Sequence, residues 1–319
     1  MTRLFYFFAL SILLTACGEG DSSKVAAPPH LTLQLNWVPE PEFGGYYAAI
    51  LAGLFQKEGL TLDVRPGGPG TPALQLVAAG QAEFGITSQD ALLIARSRGA
   101  DLVALFALYQ DFPEGIMVHA KRGIRSVDQI FKTGTLAMQA GTPFLAMLQK
   151  KYDFRGLKLV PYTNNLAPFL HDPLMAQQCF ITAEPEVARR SGIEPQVFGF
   201  KEMGYNPYSG VIFTRKDFLT SHPEETRRFL RAVRQGWIQY LSDPGPANQA
   251  MQKLNTTMQP ETFEQAAQIQ KPLILNQLDD PRKIGLMSQS RWQSFAEQLH
   301  GLGILPDSRI EGAYAEVAE

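Results

Sequence analysis

Between Asn36 and Tyr47 the chain reads NWVPEPEFGGYY, a dense run of groups that bind rather than react. Trp37, Phe43, Tyr46 and Tyr47 offer flat faces, Asn36 an amide, and Glu40 and Glu42 carboxylates. Farther on, Gln139 adds an amide and Glu184 a carboxylate at the start of a helical stretch; Ser88 and Tyr208 complete the candidate set. Together these residue types can stack on a small planar molecule and hydrogen-bond its edge. Two structural alternatives stand beside that reading: Trp37 and Phe43 as ordinary core aromatics, and Glu184 as a charge capping its own helix. Catalytic arrangements are missing. His30, His119, His171, His222 and His300 are scattered without a nucleophile, no Cys/His cluster has metal-ligand spacing, and neither GxSxG nor HExxH occurs. Gly67-Gly68-Pro69-Gly70 lacks the GK[ST] of a phosphate loop. No cofactor, no metal and no turnover are expected.

The elements that must carry these residues alternate between strand and helix. Leu31, Leu33 and Leu35 have the period of a half-buried strand, and Tyr47, Ile50, Leu51 and Leu54 the spacing of one helical stripe. The loop between them, at the carboxyl end of a strand, is where α/β folds build ligand sites. Further strands are expected at 60–64, 82–86, 102–108, 116–119, 135–138, 157–161, 179–182, 196–200 and 211–214, with Ser88 as an N-cap and capping boxes at Ser126/Gln129 and Ser221/Glu224. After Ser221 the chain is mostly helical, and Phe229, Leu230, Val233, Trp237, Tyr240 and Leu241 trace one face. The fold class is α/β with a largely parallel sheet. The pause at Asp111–Gly115 and the return near Tyr208 divide it into two lobes, 30–112 with 209–319 and 115–207, with a helical C-terminal tail.

The first residues place the protein outside the cytoplasm. An apolar run from Leu4 to Leu14 is too short to span a bilayer and has signal-peptide length. A leader is expected to be cleaved shortly after that run, the small polar residues up to 29 to form a flexible tether, and Cys179, in apolar surroundings, to be a buried, inert thiol. The 319 residues are 45% hydrophobic and 19% charged, a globular composition, and the net charge of −2 without a basic run excludes the footprint of a nucleic-acid binder.

Several motifs resemble a known group. LTAC at Leu14–Cys17 resembles the lipobox of bacterial lipoproteins, which implies cleavage of residues 1–16, Cys17 as a lipidated first residue of a tether over 17–29, and therefore no disulfide partner for Cys179. LNWVPEPEFGGYYAAILAGLFQKEGLTLDV, GQAEFGIT, TAEP at Thr182–Pro185, GYNPYSGVIFT at Gly204–Thr214, HPEETRRFLRAVRQGWIQYLSDP, IGLMSQSRW and GLGILP resemble the substrate-binding proteins of ABC importers for sulfonates, nitrate and thiamine pyrimidines. The resemblance covers nearly the whole mature chain. It implies a two-lobed periplasmic-binding-protein fold of the second type, a monomer, an ABC permease and ATPase as partners, and a lipid-anchored protein on the periplasmic or outer face of a bacterial membrane. The Asn-Trp pair and the TxEP-like glutamate are most similar to the branch that binds pyrimidine precursors of thiamine; riboflavin-like heterocycles and sulfonates remain as alternatives. The fungal pyrimidine synthase of the same superfamily consumes its own histidine and uses a lysine-bound pyridoxal phosphate. Here Phe43 stands at the histidine position and Thr87 at the lysine position, and Asn206–Gly210 (NPYSG) replaces its cysteine-rich segment.

Overall fold

A computed structural model describes residues 28–317 except 164, 277 and 279. Cys17, the leader and the tether up to residue 27 lie outside the described residues. The strands are β1 (His30–Gln34), β2 (Thr61–Arg65), β3 (Phe84–Thr87), β4 (Leu102–Tyr109), β5 (Glu114–His119), β6 (Gly134–Met138), β7 (Leu157–Pro161), β8 (Met175–Phe180), β9 (Pro195–Gly199) and β10 (Ser209–Arg215). They form two five-stranded sheets, ordered β2-β1-β3-β10-β4 and β7-β6-β8-β5-β9. Each is parallel apart from one inserted strand. β10 runs antiparallel between β3 and β4, and β5 antiparallel between β8 and β9. The chain crosses between sheets twice, from Tyr109 to Glu114 and from Gly199 to Ser209. This is the α/β class that the alternating pattern called for, built as two sheets.

β4 is buried at every position (LVALFALY), as a strand covered on both faces must be. β1 departs from the half-buried expectation. Thr32 and Gln34 are buried along with the leucines, because β1 sits between β2 and β3 with both faces covered. Its polar groups are satisfied locally: the Gln34 amide donates to the carbonyls of Leu35, Arg65 and Pro66. The outer edge of β4 is covered by the C-terminal segment, with Ala104 N–H donating to Ala313 O and Ala315 N–H to Ala104 O, both at 2.9 Å. Covering an edge in this way removes a template for unwanted pairing. The strand expected at 179–182 is instead Met175–Phe180, with Thr182 in the following turn.

The helix Gly44–Leu51 does not bury the expected stripe. It stops at Leu51, which is 56% exposed, and the chain turns through Gly53 at φ +64°. What it buries is Gly44 to Ala49. The reason is the helix Pro223–Ser242, whose Trp237 and Tyr240 rings fill the space where Cβ atoms on Gly45 and Gly44 would stand. That long helix follows its predicted face at Phe229, Leu230, Val233, Trp237 and Tyr240. The Ser221/Glu224 capping box is not formed. The N-cap is His222, with Pro223 supplying the first turn, and Ser221 Oγ donates backward to Asp217 O at 2.7 Å. The Ser126/Gln129 box is formed and opens a 3-10 turn, Val127–Phe131. No helix among the described residues is long and apolar enough to cross a membrane.

Candidate functional site

The two sheets face each other across a cleft of about 1180 Å3. One bank is built by the loop after β1, the end of β3 and the crossing into β5. The other is built by the segment after β6, the end of β8 and the helix Glu184–Arg190. Eight of the eleven candidate residues line it: Asn36, Trp37, Glu40, Glu42, Phe43 and Ser88 on the first bank, Gln139 and Glu184 on the second. Phe43 contributes little surface, being 1% exposed.

Three tyrosines do not reach the cleft. Tyr46 and Tyr47 are buried on the 44–51 helix, and Tyr46 packs edge-on against Trp237 with centroids 5.8 Å apart. Tyr208 is also buried. Its N–H donates to Gln89 Oε1 at 2.9 Å, its hydroxyl accepts from Ser288 N–H at 3.0 Å, and the Arg291 guanidinium lies 4.0 Å from its ring centroid. It is a strut between the return crossing and the C-terminal helices. Ser88 occupies the N-cap position of the helix Gln89–Ser97 without a side-chain cap bond, its hydroxyl being turned to the Asp90 carboxylate instead.

The charged groups of the cleft are mostly carboxylates, and Asp90 and Glu114 were not among the sequence candidates. Asp90 also accepts from Tyr205 Oη at 2.6 Å, and Glu114 accepts from Gln178 Nε2 at 2.7 Å. Burial pushes the Glu40 carboxyl up to about 8, and the charge of Glu184 adds to the rise, against hydrogen bonds from Trp37 and Asn255. Burial likewise takes Glu114 to about 8, opposed by the Gln178 bond and reinforced by Asp90 and Glu184. Glu42 is raised well above its ordinary value by burial and then by Glu40, Glu114 and Glu184. Glu184 is raised by burial and steadied by Tyr162 Oη and by Phe180 N–H at 2.8 Å. The sequence signal for this set was faint: an acid at the second position of a helix, and the acid within the DFPEG pause.

Arg190 is the one Lys, Arg or His lining the cleft among the described residues. It is engaged across the mouth, donating to Glu261 at 2.9 Å and Thr262 Oγ1 at 3.1 Å. Gln177, 1% exposed, also lines the cleft, and neither its amide nitrogen nor its oxygen has a partner among the described residues. Cys179 is buried in the same wall, and burial pushes its thiol well up, as for an inert thiol.

A carboxyl whose folded-state value lies above 4.5 binds its proton more tightly in the folded chain than in the unfolded one. Its stabilisation is complete below about 4.5 and is lost as pH rises toward about 8. The melting temperature of the empty protein is therefore expected to fall between pH 5 and pH 8. Glu40→Gln/Glu114→Gln should flatten that fall. Thermal melts across the range check it; equal slopes in both proteins would remove these two groups from the account.

A profile of the NMT1/THI5-like family matches residues 40–247. The riboflavin-binding protein RibY of Chloroflexus aurantiacus is 24% identical, over 92% of this chain and 85% of its own. The formylaminopyrimidine-binding protein of Halalkalibacterium halodurans is 21% identical over 85% and 84%. The Saccharomyces cerevisiae 4-amino-5-hydroxymethyl-2-methylpyrimidine phosphate synthase THI5 is 24% identical over 67% and 68%. In three dimensions the alkanesulfonate-binding protein SsuA of Xanthomonas axonopodis pv. citri, solved with MOPS, superposes with a TM-score of 0.66. It covers 91% of this chain and 99% of its own, at 16% identity, which establishes a shared periplasmic-binding-protein fold.

Proposed function

The chain belongs to the NMT1/THI5-like family, and on that premise we propose that it is the solute-binding protein of an ABC importer. Its cargo is a small flat nitrogen heterocycle, such as a hydroxymethylpyrimidine-type thiamine precursor. The observation that carries this is an aromatic face, Trp37, with the half-buried acceptor Glu40 on its own bank and the half-buried acceptor Glu184 across the cleft. Trp37 stacks on the ring, and Glu184 accepts from its exocyclic amine or shares a proton with a ring nitrogen. Asn36 and Gln139 supply further edge contacts.

A sulfonate would want donors and positive charge, and Arg190, the lining cation, is already engaged with Glu261 and Thr262. Turnover is disfavoured by Phe43 and Thr87, which cannot supply the histidine and lysine chemistry of the fungal synthase. A riboflavin-like cargo is the second reading, favoured by the long match to RibY and by a cleft far larger than one ring. A thermal-shift screen separates these. A ligand at about 100 times its dissociation constant adds about 2.7 kcal/mol, so 4-amino-5-hydroxymethyl-2-methylpyrimidine should raise the melting temperature by several degrees while taurine leaves it unchanged. A response to taurine alone would overturn the reading. Scattering on the same samples should show compaction as the lobes 30–112 with 209–319 and 115–207 close about their two crossings.

The same proposal places the protein on the periplasmic or outer face of a bacterial membrane, as a monomer serving a permease and its ATPase. Cys17 is its lipidated first residue. Mass spectrometry of membrane-extracted protein should find an acylated N-terminus at Cys17; an unmodified Cys17 removes the anchor.

A further inference from the structure

Carboxylates enter the cleft from both banks. Glu40 and Glu42 come from the loop after β1, Asp90 from the first turn of the 89–97 helix, Glu114 from the crossing into β5, and Glu184 from the helix after β8. Burial raises them most, and they then act on one another: Glu184 adds to the rise of Glu40, and Glu40, Glu114 and Glu184 add to that of Glu42. The remaining titratable groups on the walls bring no free positive charge. Tyr109, Tyr162 and Cys179 are held protonated by burial, and Arg190 is committed to Glu261. Gln177 is a separate sign of a missing ligand, a buried amide with both polar atoms unpartnered in the same wall. Among the described residues no three His, Cys, Asp or Glu side chains are gathered closely enough to hold a metal ion, so an inorganic cation does not satisfy this arrangement. The volume, about 1180 Å3, lies above the range of roughly 300–1,000 Å3 that holds drug-sized molecules and leaves room for more than one ring.

Resting on the heterocycle reading above, we propose that the cargo binds as a cation: a flat heterocycle carrying a permanently charged or protonated nitrogen, whose charge Glu40, Glu42, Glu114 and Glu184 share. The neutral edge of such a ligand is met by the amides of Gln177 and Gln139. Like charges brought together in a low-dielectric cleft must be neutralised, by protons when it is empty and by the ligand when it is full. Binding of the cation therefore turns carboxylic acids into carboxylates and releases their protons to solvent.

The test is calorimetry on the full chain at pH 7.5, in phosphate and in Tris, whose ionisation heats differ. Three probes are used: thiamine, an aminopyrimidine joined to a permanently cationic ring; 4-amino-5-hydroxymethyl-2-methylpyrimidine; and riboflavin, the last two uncharged. Thiamine is expected to bind at least tenfold more tightly than either uncharged ring, with a heat that differs between buffers by the release of protons. Glu40→Gln/Glu42→Gln is expected to abolish that preference, weakening thiamine at least tenfold more than it weakens the uncharged pyrimidine. If an uncharged ring binds as tightly as thiamine, or if the preference comes without proton release, the cation inference is overturned and the heterocycle reading stands. If none of the three binds, the heterocycle reading fails and takes the inference with it.

Discussion

Glu184→Gln is expected to weaken binding of an aminopyrimidine at least tenfold while the melting temperature of the empty protein barely moves. The carboxylate holds two partners in the empty site, Tyr162 Oη and Phe180 N–H. A glutamine can keep both: its oxygen accepts from Phe180, and its NH2 donates to the Tyr162 hydroxyl, which rotates to become an acceptor. It also removes one of the charges that raise Glu40 and Glu42. Local structure therefore has little to lose. The ligand does, because a hydrogen bond to a charged group contributes about 1.5–3 kcal/mol, and about 1.4 kcal/mol is a factor of ten in affinity. Titration calorimetry with paired thermal melts reads both quantities. Unchanged affinity with a lowered melting temperature would make Glu184 a local brace for the start of its helix and withdraw it from the site.

Gly236→Leu is expected to cost about 3 kcal/mol or more. A Cβ at position 236 would overlap Gly45 O and lie 2.6 Å from Ala49 Cβ. The first of these is backbone, which cannot swing aside as a side chain can. The 44–51 and 223–242 helices would have to move apart and would lose the packing of Trp237 and Tyr240 on Gly45 and Gly44. Overpacking of a core typically costs about 1–3 kcal/mol, and more where nothing can yield. Leu51→Ala is the control: at 56% exposed, it should change stability by no more than about 0.5 kcal/mol. Urea denaturation of both variants decides it. If Leu51→Ala were the more damaging, the helix would bury the stripe its periodicity suggested.

Those two positions mark how far the sequence could be read. Alternation along the chain was enough for the α/β class and for most strands, because burial on a sheet leaves a local period in the residue types. The face of the 223–242 helix was legible for the same reason. The 44–51 helix was not: its apolar period pointed to Leu51, whereas the neighbour that covers it needed small residues, and a glycine's silence in a hydrophobic pattern hides that need. The candidate site divides along the same line. Trp37, Glu40 and Glu184 could be read because each lies on the connection that follows a strand, where loops converge at the carboxyl ends. Tyr46, Tyr47 and Tyr208 carry the same chemistry in the sequence, yet the structure packs them into walls and struts.

By itself the sequence determined the α/β alternation, the long amphipathic helix and the local loops that could bind a flat molecule. Only the tertiary structure decided that Glu40 and Glu42 meet Asp90, Glu114 and Glu184 in one cleft, and that the lining arginine is turned to Glu261. Residue type and local spacing set what a side chain can do. Burial and the charge of neighbours far along the chain set its protonation and its partners, and those arise only when the two sheets face each other.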